Sequence, residues 1–335
     1  MMIRSLSPAG LRRFGIFGLS LCTSLFMAAP VQVAAAPLSL AVARSPLAVP
    51  IFVALSEGYF ESEGVEVKVT EAASGRRCLE ILAAGQADLG TAAETAIVFE
   101  SFERTDFSIL ATLASTSSDV ELVARYTAGV RAAKDLVGKR IGVVLGTSAQ
   151  YFLDSFLLAN NVDPKTVVQV PIQPEAAIEG LASAQVDAVA IFQPFAYQAA
   201  RSPRVPTVVL SESGEYKQIF NLVGQNSFLA NHSSDVERLL KALKRANDFI
   251  RMQPKRAADV LVSRLGVDAG FAAWSLSHTH AVLTLDDSLL RTLQFQAKWA
   301  VREGYVTGRK PADFRALVRS GPLRAVLPNA VGLPQ

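Results

Sequence analysis

Short apolar runs of β character alternate with stretches of helical length along this chain, and the alternation begins twice. From residue 37 the order is LSLAV, a helical stretch over 47–63, EVKVT, a helix over about 76–84, ADLG, a helix near Glu94, and FSILATL. After Gly129 it restarts with KRIGVV, a helix over about 148–159, TVVQV, a helix near 174–184, DAVAIF and a helix around 195–200. Parallel strands need a long crossover to return to the same end of a sheet, and a helix supplies it. The alternation therefore predicts α/β architecture, with largely parallel sheets covered by helices on both faces. Two starts predict two such units, and 335 residues at 50% hydrophobic content suffice to give each a core.

Two segments fall outside the rhythm. DVELVAR, residues 119–125, and FNLVGQNSFLA, residues 220–230, read as extended runs with no helix behind them, and are expected to be the two crossings of a hinge. From Ser233 onward the chain reads as helical: a run to about Met252, one from Pro254, one over 269–277 and one over 286–303. Such a tail is expected to pack back on the first unit. The implied division is a leader over 1–35, a first lobe from 36–122 and 223–335, and a second lobe over 123–222. Residues 311–335, with Pro322, Pro328 and Pro334, read as an irregular, loosely docked end.

The leader carries Arg4, Arg12 and Arg13 without an acid, then the apolar run 14–29 and the small residues 33–36, which is the layout of a secretory signal. Pro37 directly beyond Ala36 argues for cleavage after Ala35. Leu21 precedes Cys22 where lipoprotein processing needs a small residue, so no lipid anchor is expected. No later stretch approaches 18 uncharged apolar residues, so the exported chain is expected to be soluble. Without the three arginines the 33 basic residues fall to 30, equal to the 30 acids; the basic balance belongs to the leader and gives no argument for nucleic acid. Past the leader only Cys78 remains, which excludes an intramolecular disulfide.

In an open parallel sheet, ligands sit beyond the carboxyl ends of the strands, where helix starts offer free N–H groups. Those ends supply Arg44, Ser45 and Pro46; Ala73, Ser74 and Gly75; Thr91, Ala92 and Ala93; and the loop from Ser115 and Thr116 to Ser118. The second unit adds Gly146, Thr147 and Ser148, then Gln173 and Pro174, then Phe192, Gln193, Pro194 and Phe195. Each hydroxyl has a plain alternative as an ordinary helix cap. Thr91 with Glu94 fits a capping box, which makes Glu94 a structural acid. Arg76 and Arg77 open a helix and either point into solvent or reinforce an anion site begun by Ser74 and Gly75. With Glu94 set aside, the strand-end loops hold no acid, which suits an anionic or neutral polar ligand.

Catalytic constellations are poorly represented. His232, His278 and His280 all lie in the tail, and Cys78 shares the apolar side of a helix with Leu79 and Leu82, as a buried structural cysteine does. His278 and His280 lack the i,i+4 spacing of helical metal ligands. No metal, no cofactor and no glycine-rich dinucleotide loop is expected.

ALSEGYFESEGVEV, ASGRRCLEILAAGQADLGTAAETA, KRIGVVLGTSAQYFLDSFLLANNVDP, ASAQVDAVAIFQPF and, more faintly, LDDSLLRTLQFQAKWAVREG, taken in that order over residues 38–305, resemble the sulfonate, taurine, nitrate and pyrimidine group of ABC-transporter binding proteins, which includes thiamine-pyrimidine synthase relatives. The resemblance implies a hinged two-lobe fold of the periplasmic binding type, with the cleft between lobes lined by Ser45, Ser74, Gly75, Thr91, residues 115–118, Gly146, Thr147, Ser148 and Gln193. It also implies a monomer delivering a small molecule to a membrane permease with its cytoplasmic ATPase. Many relatives carry Trp and an acid where this chain has Phe192 and Gln193, so a ligand amine would not be read there. Two rivals share the scaffold: an enzyme, either a pyrimidine-synthase relative or a desulfinase with a cysteine nucleophile, and a periplasmic ligand sensor. Intact-mass measurement of the exported protein should find a chain beginning at Ala36 or Pro37, with no lipid; a modified Cys22 at the amino terminus would contradict the leader assignment.

Overall fold

The apolar runs that open the two units become the centres of two separate sheets. The computed structural model describes residues 37–210 and 216–333, so the leader, its cleavage point and Cys22 lie outside the described residues. The first sheet receives β1 (Leu38–Ala43), β2 (Val67–Ala72), β3 (Leu89–Ala93) and β4 (Phe107–Thr116). The second receives β5 (Val120–Arg125), β6 (Arg140–Val143), β7 (Val168–Pro171), β8 (Ala188–Phe192) and β9 (Thr207–Val209). The chain then returns to the first with β10 (Gln218–Gln225) and β11 (His280–Thr284), giving the orders β11-β4-β10-β3-β1-β2 and β7-β6-β8-β5-β9. All residues of β3, β4 and β8 are buried, whereas β2 and β7, at the edges, expose several. That contrast is what helices packed on both faces of a sheet impose.

Neither sheet is purely parallel. β1 runs parallel to β2 and β3, and β6 to β7 and β8, as the alternation predicts. β10 is antiparallel to β3 and β4, and β5 is antiparallel to β8 and β9. These two strands are the segments expected to be hinge crossings, and that expectation is corrected. A chain that changes sheets without a helical return enters its new sheet from the opposite end and pairs antiparallel. The first crossing falls at 117–119, between β4 and β5, and the second lies between the end of β9 at Val209 and the start of β10 at Gln218.

The tail forms the expected helices, Ser233–Met252, Pro254–Leu265, Ala269–Ser277 and Asp287–Arg302, but β11 interrupts them. It pairs antiparallel with β4, placing Ala281 opposite Ala114. A fully buried strand needs a partner on each side, since unpaired backbone groups away from water are costly. The end is not loose either. The Ile109 N–H donates to the Leu317 carbonyl at 2.7 Å, the Arg319 N–H returns to the Ile109 carbonyl at 3.0 Å, and Phe314, Leu317 and Leu323 are buried.

Two apolar cores follow, one around each sheet, and Tyr151 packs against both. Beside it, Asp154 on the helix Ser148–Ala159 accepts hydrogen bonds from Trp299 Nε1 at 3.0 Å, Tyr305 Oη at 2.8 Å and Gln169 Nε2 at 3.0 Å. The tail thereby holds both sheets, since Trp299 belongs to a helix packed on the first core while Asp154 and Gln169 come from the second unit. Removing one member of a buried charged network strands its donors, at a cost of about 3 kcal/mol. Asp154→Ala should therefore lower unfolding free energy in urea by about 3 kcal/mol; a change within 0.5 kcal/mol, the usual scatter of surface substitutions, would show that the network carries no stability.

Candidate functional site

A small cavity of about 30 Å³ lies between the two sheets. From the first sheet's side it is lined by Ala43, Arg44 and Ser45 after β1, by Ala73, Ser74, Gly75 and Arg76 after β2, and by Ala93 and Ala96 after β3. Thr147, Ser148 and Phe192 face it from the second, while Asp119, Gln218 and Phe220 come from the crossings and the start of β10.

Three helix starts present their caps here. Ser74 Oγ accepts from the Arg77 N–H at 3.2 Å, Thr147 Oγ1 from the Ala149 N–H at 3.3 Å, and Ser45 Oγ from the Leu47 N–H at 3.1 Å. Capping and lining thus coincide, because a cap oxygen sits where the helix's unpaired N–H groups and positive dipole end are exposed. Thr147 also donates to the Val144 carbonyl at 2.6 Å, which occupies its hydroxyl proton. Among the described residues no acceptor takes the Ser45 or Ser74 hydroxyl proton. Gly75 is required for the geometry: a Cβ there would lie 2.8 Å from Ala92 Cα, so only glycine lets this helix start against β3.

Of the residues at the strand ends, Arg44, Ser45, Ala73, Ser74, Gly75, Ala93, Thr147, Ser148 and Phe192 line this cavity, while Thr91, Ser115, Thr116, Gly146, Gln173, Gln193 and Phe195 do not. Thr91 is fully buried inside β3, where its Oγ1 accepts from the Ala43 N–H at 2.9 Å. The capping box with Glu94 does not form, because β3 continues in register with β10 to Ala93, which becomes the cap without a side-chain bond. Ser115 and Thr116 belong to β4; Ser115 borders a separate 230 Å³ cavity with Lys217 and His280, and Thr116 Oγ1 donates to the His278 carbonyl at 2.7 Å. Gly146 lines a neighbouring 340 Å³ cavity with Tyr305 and Arg309. Gln173 is exposed before a short 3₁₀ turn. Gln193 Oε1 accepts from the Tyr197 N–H at 3.0 Å, and Phe195 packs edge-on against Phe192, so both serve the helix that follows β8. Arg76 borders the cavity and remains half exposed, and its Nη1 donates to the Leu145 carbonyl at 2.6 Å, bridging the two units.

Sequence reasoning missed Asp119 and Phe220 because they open the two segments assigned to a hinge, and Gln218 because it lies just ahead of the second. Asp119 overturns the expectation of an acid-free cleft. Its Oδ2 accepts from Gln218 Nε2 at 2.9 Å, and burial, with the nearby Glu94 and Glu121 charges adding, pushes its carboxyl up to about 7. Glu94 is structural as expected, though for a different reason. Its fully buried carboxylate accepts from the Ile219 N–H at 2.8 Å, from Gln296 Nε2 at 2.9 Å and from the Tyr216 hydroxyl, and burial raises it too. Cys78 lies behind the helix start, fully buried, with burial pushing its thiol up to about 12. Among the described residues no three His, Cys, Asp or Glu side chains meet to hold a metal, and no helix is long and apolar enough to cross a membrane.

Residues 45–257 match the NMT1/THI5-like family. The chain belongs to that family. Over 216 residues it is 26% identical to a Bacillus subtilis protein named as an aliphatic sulfonates-binding protein, a match spanning 63% of this chain and 65% of that one. The fold is that of periplasmic binding proteins: the alkanesulfonate-binding protein SsuA from Xanthomonas axonopodis pv. citri, solved with MOPS bound, superposes with a TM-score of 0.71 at 19% identity, covering 89% of this chain and 98% of that one. The desulfurization enzyme DSZB shares the fold at a TM-score of 0.66 and 16% identity, covering 87% and 99%.

For this family member the buried acids set the response to pH. Asp119, raised to about 7, and Asp154, raised to about 6, bind protons more tightly folded than unfolded, so their stabilising contribution is full below about 4 and is lost as pH rises through 6 to 7. The depressed carboxylates, such as Asp187 and Asp268, act below that window. The urea midpoint should fall between pH 5 and pH 8, and Asp119→Asn should flatten the fall; an unchanged slope in the variant would mean that Asp119 does not titrate there.

Proposed function

We propose that the chain is the solute-binding component of an ABC importer, exported to the periplasm, acting as a monomer and delivering a small anionic or polar organic molecule to a membrane permease and its ATPase. One observation supports this reading: loops from both sheets, several of them leading into helix starts, converge on the cavity between them. Helix starts and serine hydroxyls donate hydrogen bonds and so favour sulfonate, carboxylate, nitrate or a polar heterocycle. The Bacillus relative's name and the SsuA fold support the sulfonate side of that range.

An enzyme of the DSZB kind is the alternative, and the residues speak against a cysteine mechanism. Cys78 is the one cysteine past the leader, and a buried thiol held near 12 supplies almost no thiolate at neutral pH. Closure around the cavity implies that ligand draws the two units together. A thermal-shift screen of the exported protein against sulfonates, carboxylates, nitrate and pyrimidines should find a ligand that, at 100 times its Kd, adds about 2.7 kcal/mol of stability. Small-angle scattering with that ligand should show a smaller radius of gyration. No stabilisation by any of the four classes would overturn the solute-binding reading, and an unchanged radius at saturation would overturn closure.

A further inference from the structure

The 230 Å³ cavity bordered by Ser115 belongs to the first sheet alone and shares no lining residue with the cavity between the sheets. Strand register assembles its wall. Ser115 on β4 pairs with Ile219 on β10 and with His280 on β11, so these three side chains stand abreast on one face. Lys217, two residues before Ile219, lines the same cavity.

The donors on this wall are unmatched. Ser115 is 5% exposed, yet among the described residues its hydroxyl has no hydrogen-bond partner. Lys217 forms no ion pair there, and the His280 ring no hydrogen bond. The two threonines beside them are committed, Thr112 Oγ1 donating to Asn221 Oδ1 at 2.9 Å and Thr284 Oγ1 to the Ala330 carbonyl at 3.1 Å. Asp286, which also borders the cavity, caps the helix Asp287–Arg302 by accepting from the Ser288 N–H at 2.9 Å, the Leu289 N–H at 3.3 Å and the Ser288 hydroxyl. A buried hydroxyl without a partner is costly, and an ammonium can only donate, so hydroxyl, ammonium and imidazole N–H together call for an acceptor with negative charge. The Asp286 carboxylate repels a second negative charge in the same space. Ile219, Val282 and Leu289 give the cavity an apolar side, with Ile219 and Leu289 buried.

We propose that this cavity is a second binding site, for a short aliphatic monoanion whose head is held by Lys217, the Ser115 hydroxyl and a His280 N–H, and whose chain lies on Ile219, Val282 and Leu289. The site is independent of the solute-binding reading, which concerns the cavity between the sheets.

Calorimetry at low ionic strength tests it with butanoate and its uncharged counterpart butanamide. Butanoate should bind the exported protein at least tenfold more tightly than butanamide. Lys217→Met, a change at an exposed position, should weaken butanoate at least tenfold, and Ser115→Ala at least threefold, with circular dichroism verifying that both variants are folded. The NMR signals of the His280 ring should move as butanoate is added, and should stay still over the same additions to Lys217→Met. Equal binding of the two compounds, no binding of either, full butanoate affinity in Lys217→Met or an unmoved His280 signal would overturn the second site. Full affinity in that variant is also the result expected of butanoate held between the sheets, so the two cavities are told apart.

Discussion

The hydrogen bond from Gln218 to Asp119 joins the two places where the chain passes between sheets. Asp119 closes the first crossing just before β5, and Gln218 opens β10 just after the second. Glu94 braces the same point by accepting from the N–H of Ile219, the next residue along. The Gln193 N–H, at the end of β8, donates to the Asp119 carbonyl at 2.7 Å, so the second sheet is fastened to this knot by its backbone as well. Everything that faces the cavity from the crossings is positioned by these few bonds.

Buried carboxylates are an expensive way to join two α/β units, because each must shed its water. Glu94, Asp119 and Asp154 all lie between the sheets, and in all three burial raises the carboxyl. Glu94 and Asp154 recover much of that cost through three donors each. Asp119 has one side-chain donor and remains the least compensated. The difference separates acids that hold the assembly from the acid that faces the cavity.

The helix starts at Gly75 and Ser148 were legible because their causes are local. A serine or threonine before a helical run is written in neighbouring residues, as is the glycine at its first position. The tail helices were legible for the same reason: their apolar spacing recurs within a few turns. The strand character of β5 and β10 was visible, but not their sheet membership, since an extended run of apolar residues reads alike in a hinge and in a strand. Gln193 and Phe195 looked like cavity residues because they follow a strand, yet their partners are local: Tyr197, four residues on in the next helix, and Phe192, three residues back at the end of β8.

By itself the sequence determined two α/β units, the order of their elements, the helical tail and the hydroxyl-bearing helix starts, all of which follow from periodicity and capping over short stretches. Only the tertiary structure decided which loops meet. Asp119 and Gln218 are 99 residues apart, and Asp154 and Trp299 are 145 apart. Side-chain bonds between segments so distant leave no periodic trace, because either partner alone looks like any polar residue in a strand or helix. The fold brings them together, and with them the acid in the cleft.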